Sequence, residues 1–386
     1  MASGSSLLQR AVRRVNRDLN WVSQRLFNPA PMVPAEALEG AGFRAVFPAE
    51  HYDMPRPDGL DDADWTIFQS AMKPVIPAGR LIDLAGGHLV SEDSWVFTAK
   101  GTAVLGLWDQ QGRMSERQRI YSAGQVTPER LAAARHLPGT TVVLNQLVGA
   151  NFYHFMNQCV TRLAIVEKII DFADVDHFVT PTRTTGFMRQ LLAHCGIDDT
   201  KIVPMEADVL RCERLIATSN PGPHHVPPTW ANDYLRRIMP VAAAPTPSSR
   251  IFISRLDAPK RELLNHDAVM ALLERYGFEH ATLSGRSVAE QAALFREADV
   301  IVAVHGAALA NLVFSPPGQK VIELLPNNHL QPCFWTVGKI GGLDYMILRS
   351  TEKPLPVAKW RLDVDADLTI DTDALEALLI AATGKA

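Results

Sequence analysis

The chain has 386 residues, and its 38 Lys plus Arg against 42 Asp plus Glu leave a net charge of -4. Hydrophobic residues make up 47% and charged residues 21%, a globular balance that excludes disorder or a fibrous repeat over the whole chain. At about 150 residues per domain the length points to two domains, and there is no overall basic excess of the kind a nucleic-acid binder shows.

The four cysteines, Cys159, Cys195, Cys212 and Cys333, form no C-x-x-C pair. Neither a disulfide framework nor a zinc knuckle is indicated, and a reducing compartment is the simpler reading. At the N-terminal end, Leu7, Leu8, Val12, Val15 and Leu19 recur at helical spacing, and residues 1–25 hold five Arg and one Asp, a local charge of +4. The pattern predicts a basic helix over about residues 5–20, either a peripheral contact with an anionic membrane or a helix packed on its own domain. Arg10, Arg13, Arg14 and Arg17 interrupt any secretory apolar segment. The most apolar stretch, Val300 to Phe314, is broken by His305, Gly306 and Asn311, so no spanning helix is expected and the chain reads as cytoplasmic.

Residues 30–125 are rich in Pro, Gly and Asp, and runs such as Gly79 to Ala85 and Ala103 to Trp108 read as short strands joined by turns. From Pro128 a helix to His136 leads to a strand over Thr141 to Gln146. A long helix then runs from His154 to Ile170, with Phe155, Cys159, Leu163, Val166 and Ile170 as its apolar stripe. Strand and helix alternate through His177–Thr180, Gly186–His194, Lys201–Val203 and Arg214–Thr218. Residues 240–249 contain three prolines and no charge, which suits an interdomain linker. The predicted domains are therefore 1–240, with its α/β part over 128–239, and 250–350, followed by a tail over 351–386.

Beyond the linker the alternation is sharper. Strands over Arg250–Ser254, Phe278–Leu283, Asp299–Val304, Lys320–Leu325 and Tyr345–Leu348 are separated by helices over Asn265–Tyr276 and Ser287–Glu297, a short one from Ala307, and Pro332–Ile340. Asn265 reads as an N-cap, and Ser287 with Glu290 forms a capping box. The set describes a Rossmann-like domain, and a last apolar helix, Ala374 to Ala382, is expected to return to the first domain.

In such a sheet, ligands bind beyond the carboxyl ends of the strands. Three ends carry chemistry: Arg255, Lys260, Arg261 and Asn265 after the first strand; His305, Gly306, Ala307 and Asn311 after the third; and Glu323 near the end of the fourth. Cations and small residues at a helix start suit a diphosphate, and a buried carboxylate suits ribose hydroxyls. Each has a structural alternative: Arg255 pairing with Asp257, His305 as a hydrogen-bonded core residue, Glu323 holding a loop. In the first domain, Asn151, Tyr153 and Asn157 flank His154, Gln158 and Arg162, which are spaced i, i+4, i+8 as on a cleft wall. His154, at a helix start, is a candidate general base or a cap. Asp363-Val364-Asp365-Ala366-Asp367 reads as a solvated acidic tail rather than a metal site, and His224-His225 carries no second ligand pair. No P-loop or G-x-G-x-x-G occurs.

The ordered run Arg250-Ile-Phe-Ile-Ser-Arg255, Arg261, Leu264-Asn265, Tyr276-Gly-Phe278, Glu290-Gln291, Leu294-Phe295, Ala298 to Asn311, Phe314, Pro317-Gly318 and Val321-Ile-Glu323-Leu324 resembles glycosyltransferase family 61. The Tyr153-His154-Phe155 turn is similar to that family's His-Trp segment. The resemblance implies a GT-B enzyme of two Rossmann-like domains facing across a cleft, inverting and independent of a bound metal. It would need no cofactor beyond its substrate, a nucleotide-diphosphate sugar, and would transfer the sugar to a hydroxyl of a glycan or lipid-linked acceptor. Arg255, Arg261, Asn265, His305, Gly306, Ala307, Asn311 and Glu323 would hold the donor, with Tyr153, His154, Asn157, Gln158 and Arg162 on the acceptor side. Where the family usually follows its Asn with an acidic residue this chain has His266, and Glu262 replaces one of a basic pair. The resemblance also implies surface polysaccharide assembly at the inner face of the cytoplasmic membrane. A non-catalytic nucleotide- or glycan-binding module and a metal-dependent transferase using Asp363 and Asp365 are the other readings.

Overall fold

The computed structural model describes residues 32–38, 42–72, 74–90, 94–107, 126–146, 148–221, 226–241, 249–258, 260–352, 363 and 365–384. The basic segment read as a helix over residues 5–20, most of the Pro-rich linker and the His224-His225 pair lie outside them. No helix among the described residues is long and apolar enough to cross a membrane.

The first half of the chain is built on a mixed sheet. Its strands are β1 (Met32–Pro34), β2 (Arg44–Phe47), β5 (Gly79–Val90), β6 (Val96–Thr98), β7 (Ala103–Leu105), β8 (Arg135–Val143), β9 (His177–Thr180), β10 (Ile202–Pro204) and β11 (Val209–Thr218), while β3 (Glu50–His51) and β4 (Val75–Ile76) pair separately. The order is β1-β7-β6-β5-β11-β8-β9-β10, with β2 also on β5. The run β11-β8-β9-β10 is parallel and β1 pairs parallel with β7 at the far edge, whereas β5 meets β11, β6 and β2 antiparallel. A Rossmann-like first domain is therefore corrected to a parallel α/β half extended by an antiparallel meander.

Two local signals misread this sheet. Gly86-Gly87 punctuates the sequence of β5, yet the strand runs through it for 12 residues because β11 and β6 pair along it, and Gly87 sits tightly against Leu215 and the Phe97 carbonyl. Pro138-Gly139 reads as a turn, but β8 absorbs it as a bulge. The pairing jumps from Cys212 with Leu137 to Arg214 with Thr140, so β8 starts at Arg135 and the preceding helix, α2 (Pro128–Ala132), stops short of the expected His136.

Helix α1 (Asp62–Ser70) precedes this region, and α3 follows β8 as four consecutive segments, Phe152–His154, a π turn Phe155–Cys159, a 3-10 turn Val160–Arg162 and Leu163–Val166. Phe155, Cys159, Leu163 and Val166 are all buried and form the face α3 presents to the core, while the helix stops at Val166, short of the expected Ile170, which lies half-buried against that core beyond the helix end. Helices α4 (Gly186–His194) and α5 (Thr229–Ile238) complete this half.

The second half is a five-stranded parallel sheet, β12 (Arg250–Ile253), β13 (Glu279–Ala281), β14 (Val300–Val304), β15 (Lys320–Leu325) and β16 (Asp344–Arg349), in the order β13-β12-β14-β15-β16. That is the doubly wound arrangement whose direction reverses between β12 and β14, where a crevice opens at the carboxyl ends. Helices α6 (His266–Arg275), α7 (Val288–Glu297) and α8 (Cys333–Ile340) and a 3-10 helix, Ala307–Phe314, connect the strands. The Ser287–Glu290 capping box forms in both directions.

Alternation along these strands sends Phe252, Val302, Val304, Ile322 and Leu324 to one core and Ile251, Ile253, Ile301, Ala303, Val321 and Leu325 to the other. The second core is continuous with α3, the 3-10 helix and α8, and Trp335 packs edge-on against Phe68 of α1 at 5.8 Å, so the two halves share apolar contacts. Helix α9 (Thr372–Thr383) does not return to the first half. Leu375 and Leu379 pack with Val269 and Leu273 of α6, because residues 365–370 run alongside 260–265 and hand the chain to that face.

Replacing Leu375 with Ala should lower the unfolding free energy by about 2–5 kcal/mol in denaturant titrations, the range for emptying a buried leucine site. A change near zero would place α9 elsewhere.

Candidate functional site

At the reversal point of the second sheet, β12 runs into Ser254 and Arg255 and β14 into His305. Arg255 donates from Nε to the Lys260 carbonyl at 2.8 Å, and its guanidinium lies over Gly306. A Cβ on Gly306 would come within 2.1 Å of Arg255 Nη1, and since Gly306 is simply extended, what the glycine permits is this placement of the guanidinium rather than a special backbone conformation. Burial, and then the charge of neighbouring Arg261, bring the Arg255 pKa down to about 10, so the Arg255 guanidinium stays charged near neutrality.

Arg261 occupies a left-handed backbone conformation, φ 57. The acidic segment holds it there. Lys260 Nζ pairs with Asp365 at 2.9 Å, Glu262 N donates to Asp367 Oδ1 at 2.7 Å, and Leu264 N donates to the Leu368 carbonyl at 2.9 Å. Asp365 and Asp367 are therefore corrected from a solvated tail to a clamp on the cation loop. Asn265 belongs to the same clamp: its amide exchanges hydrogen bonds with the Ile370 backbone at 2.8 and 3.0 Å, so it neither caps α6 nor lines the cleft.

His305 is buried, with Nδ1 2.6 Å from Glu323 Oε1, while Glu323 Oε2 accepts from Tyr345 OH at 2.9 Å. Glu323 has no exposure, so it reaches the cleft only through His305 and offers no acceptor to a ribose. Burial pushes the Glu323 pKa up to about 8, and burial with the charges of Arg261 and Arg255 holds His305 well below its ordinary value. The pair carries one proton between them near neutrality. Past His305, the first N–H groups of the 3-10 helix begin at Ala307, and Asn311 is buried under the turn, donating to the Ala308 carbonyl at 3.0 Å.

The opposing wall comes from α3. Asn151 caps it, accepting from Tyr153 N at 2.9 Å and His154 N at 3.4 Å. Tyr153 stands edge-on to Phe334 of α8 at 5.5 Å, which joins this wall to the second sheet. Tyr153, His154, Arg261, His305, Gly306 and Ala307 together border a cleft of about 120 Å³. Asn157, Gln158 and Arg162 do not. They are buried behind His154, which corrects the i, i+4, i+8 face from an open wall to an internal network. His154 Nδ1 lies 2.8 Å from Gln158 Oε1, Gln146 Nε2 is 2.9 Å from the same oxygen, and Arg162 Nη2 donates to Gln146 Oε1 at 2.9 Å.

Sequence reasoning missed His329, Gln331 and Phe334, which also line the cleft, and Tyr345 and Gln146 behind it. The first two lie on the loop beyond the carboxyl end of β15, so the strand-end rule could have found them. Tyr345 and Gln146 act through hydrogen bonds to residues distant in sequence, Glu323 and the Gln158–Arg162 pair, and had no local signal. A larger cavity, about 330 Å³, lies at the amino ends of β15 and β16 near Arg56 and Lys339, where no strand-end loops converge.

The chain is thus a mixed α/β protein with a cationic, glycine-bordered crevice at the reversal point of its doubly wound sheet, faced by a helix-start histidine. Residues 152–322 match the family model described as Glycosyltransferase 61, and that stretch is a glycosyltransferase 61 domain. A beta-1,2-xylosyltransferase of Oryza sativa subsp. japonica is 38% identical over 96 residues, 24% of this chain and only 17% of the rice protein.

Two outcomes test this geometry. Gly306→Ala meets only the mobile end of Arg255, so folding should survive while the guanidinium is displaced. Affinity for inorganic pyrophosphate, read by calorimetry, should fall about tenfold, near 1.4 kcal/mol. In the unfolded chain His305 and Glu323 are both deprotonated above their ordinary values of 6.5 and 4.5, whereas the folded pair keeps one proton up to about pH 8. The folded protein thus binds more protons between about pH 6.5 and 8, and its stability should fall as pH rises through that window. In Glu323→Gln the melting temperature should change less across the same range, and an unaltered slope would refute the shared proton.

Proposed function

We propose that this protein is an inverting, metal-independent glycosyltransferase that moves a hexosyl or pentosyl group from a nucleotide-diphosphate donor to a hydroxyl of a glycan or lipid-linked acceptor. The observation that carries the reading is a cleft that brings Arg261 and the N–H end of the 3-10 helix at Ala307 opposite His154, with the Arg255 guanidinium beside Gly306 at its border. The two halves would act in a GT-B-type manner, donor on the second sheet and acceptor on the α3 side.

In this reading the diphosphate lies between Arg255, Arg261 and the start of the 3-10 helix, with His305 adding a hydrogen bond. These fixed charges and dipoles stabilise the negative charge that grows as the bond between the anomeric carbon and the phosphate oxygen breaks. The acceptor oxygen attacks the opposite face of that carbon, and His154 takes the hydroxyl proton as the new glycosidic bond forms. Configuration inverts because there is a single displacement. The likeness to a rice xylosyltransferase puts a nucleotide-linked xylose first among donors. Surface polysaccharide assembly at the inner membrane face, with the basic sequence over residues 5–20 as a peripheral contact, is the setting this reading favours.

Thermal-shift screening of nucleotide sugars, followed by transfer assays with the stabilising donor, tests the proposal. One donor at about 100 times its dissociation constant should add about 2.7 kcal/mol of stability. Arg255→Ala should weaken donor binding, and His154→Ala should lower kcat by about 10²–10⁴ with little change in donor affinity. Binding without hydrolysis or transfer would leave a non-catalytic module, and loss of activity with chelator would overturn metal independence.

A further inference from the structure

The network behind His154 carries information that the cleft does not. Arg162 is fully buried, anchored to the Asn145 carbonyl at 3.2 Å by Nη1 and to Gln146 Oε1 at 2.9 Å by Nη2. Burial lowers its pKa only to about 10, so it is a cation near neutrality. A guanidinium can only donate. The Gln146 atom facing it is therefore the carbonyl oxygen, and the other end of that amide, its NH₂, can only donate in turn. It does so 2.9 Å from Gln158, which must present its own oxygen. That same oxygen meets His154 Nδ1 at 2.8 Å, and an oxygen already receiving one donor bond requires the imidazole nitrogen to be N–H.

We propose that Arg162, acting through Gln146 and Gln158, fixes neutral His154 as the Nδ1–H tautomer, so that the lone pair is on Nε2. Arg162 and Gln146 are then positioning residues. The chain has one polarity from end to end, because its first member has no second protonation choice. This rests on the reading of His154 as the base in one respect only: the tautomer gives the chain a catalytic purpose, since a base that must accept a proton on Nε2 cannot start with one there. Cavity and charge explain why the chain has four members. Gln146, from the loop after β8, links Gln158 and Arg162, and all three are closed off from solvent, where water cannot substitute as donor.

The test reverses the polarity at its middle. In Gln146→Glu the introduced carboxylate still accepts from Arg162 and keeps the size of the side chain, but it cannot donate to Gln158. Gln158 turns its amide and donates both to the carboxylate and to His154 Nδ1, which drives the imidazole proton to Nε2. Nitrogen chemical shifts of the His154 ring in ¹⁵N-labelled protein, assigned with His154→Ala, should show Nδ1–H in the wild type and Nε2–H in the variant. In transfer assays kcat should fall about a hundredfold while donor KM stays within about twofold. Arg162→Lys, which retains a cation that only donates, should keep the wild-type tautomer and most of the turnover.

A wild-type Nε2–H tautomer, or an Nδ1–H signal that persists in Gln146→Glu, overturns the proposal. An inverted tautomer with unchanged kcat upholds it and instead removes His154 as base. If Gln146→Glu fails to fold, the wild-type and Arg162→Lys spectra decide.

Discussion

Two like charges held side by side are the constraint on which this molecule is organised. Arg255 and Arg261 lower each other's tolerance for charge, and no fold places such a pair without restraint. Around them the chain spends its unusual features. A glycine stands where any side chain would strike a guanidinium, a left-handed residue carries the second cation, and an acidic segment grips the loop between them. The shared proton of His305 and Glu323 belongs to the same arrangement. Burial lifts the Glu323 pKa to about 8, so near neutrality it does not stand as an ionised counter-charge to the two cations.

The rest of the structure sets the distance across that field. Alternation in the second sheet divides its side chains between two cores, one covered by α6 and α9, the other shared with α3 and α8. The second core brings the start of α3 to the carboxyl ends of the other sheet, through Tyr153 on Phe334 and Arg236 on the Val313 carbonyl at 2.7 Å. The relation between His154 and His305 thus depends on hydrophobic packing across the two halves, while the chemistry of each is set by polar contacts behind it.

How much of this could be read from residues alone follows from range. His177–Thr180, Gly186–His194 and Lys320–Leu325 have the same limits in the structure as their periodicity implies, because each is bounded by a local signal. The Ser287 box is likewise local. Strand β5 and the start of β8 were hidden because pairing partners far along the chain override Gly and Pro punctuation. In the site, Arg255 and His305 are legible from the strand-end rule. The seclusion of Gln158, Arg162 and Glu323 is not, since helical spacing shows which residues share a face but not what covers it. Asn265 illustrates the same limit: an ideal cap by type, it is engaged by a backbone 105 residues away.

The clamp on the cation loop has a consequence for how the protein comes into being. Lys260 and Glu262 bond partners that also lie 105 positions downstream, so during synthesis the loop leaves the ribosome long before its restraint exists. The parallel sheet can assemble around β12 and β14, yet Arg261 acquires its left-handed hold only once residues 365–368 have emerged. A nascent polypeptide therefore carries an unrestrained cation loop for the whole time it takes to make those intervening residues. The order of synthesis itself separates completion of the sheet from the fixing of its most highly charged loop.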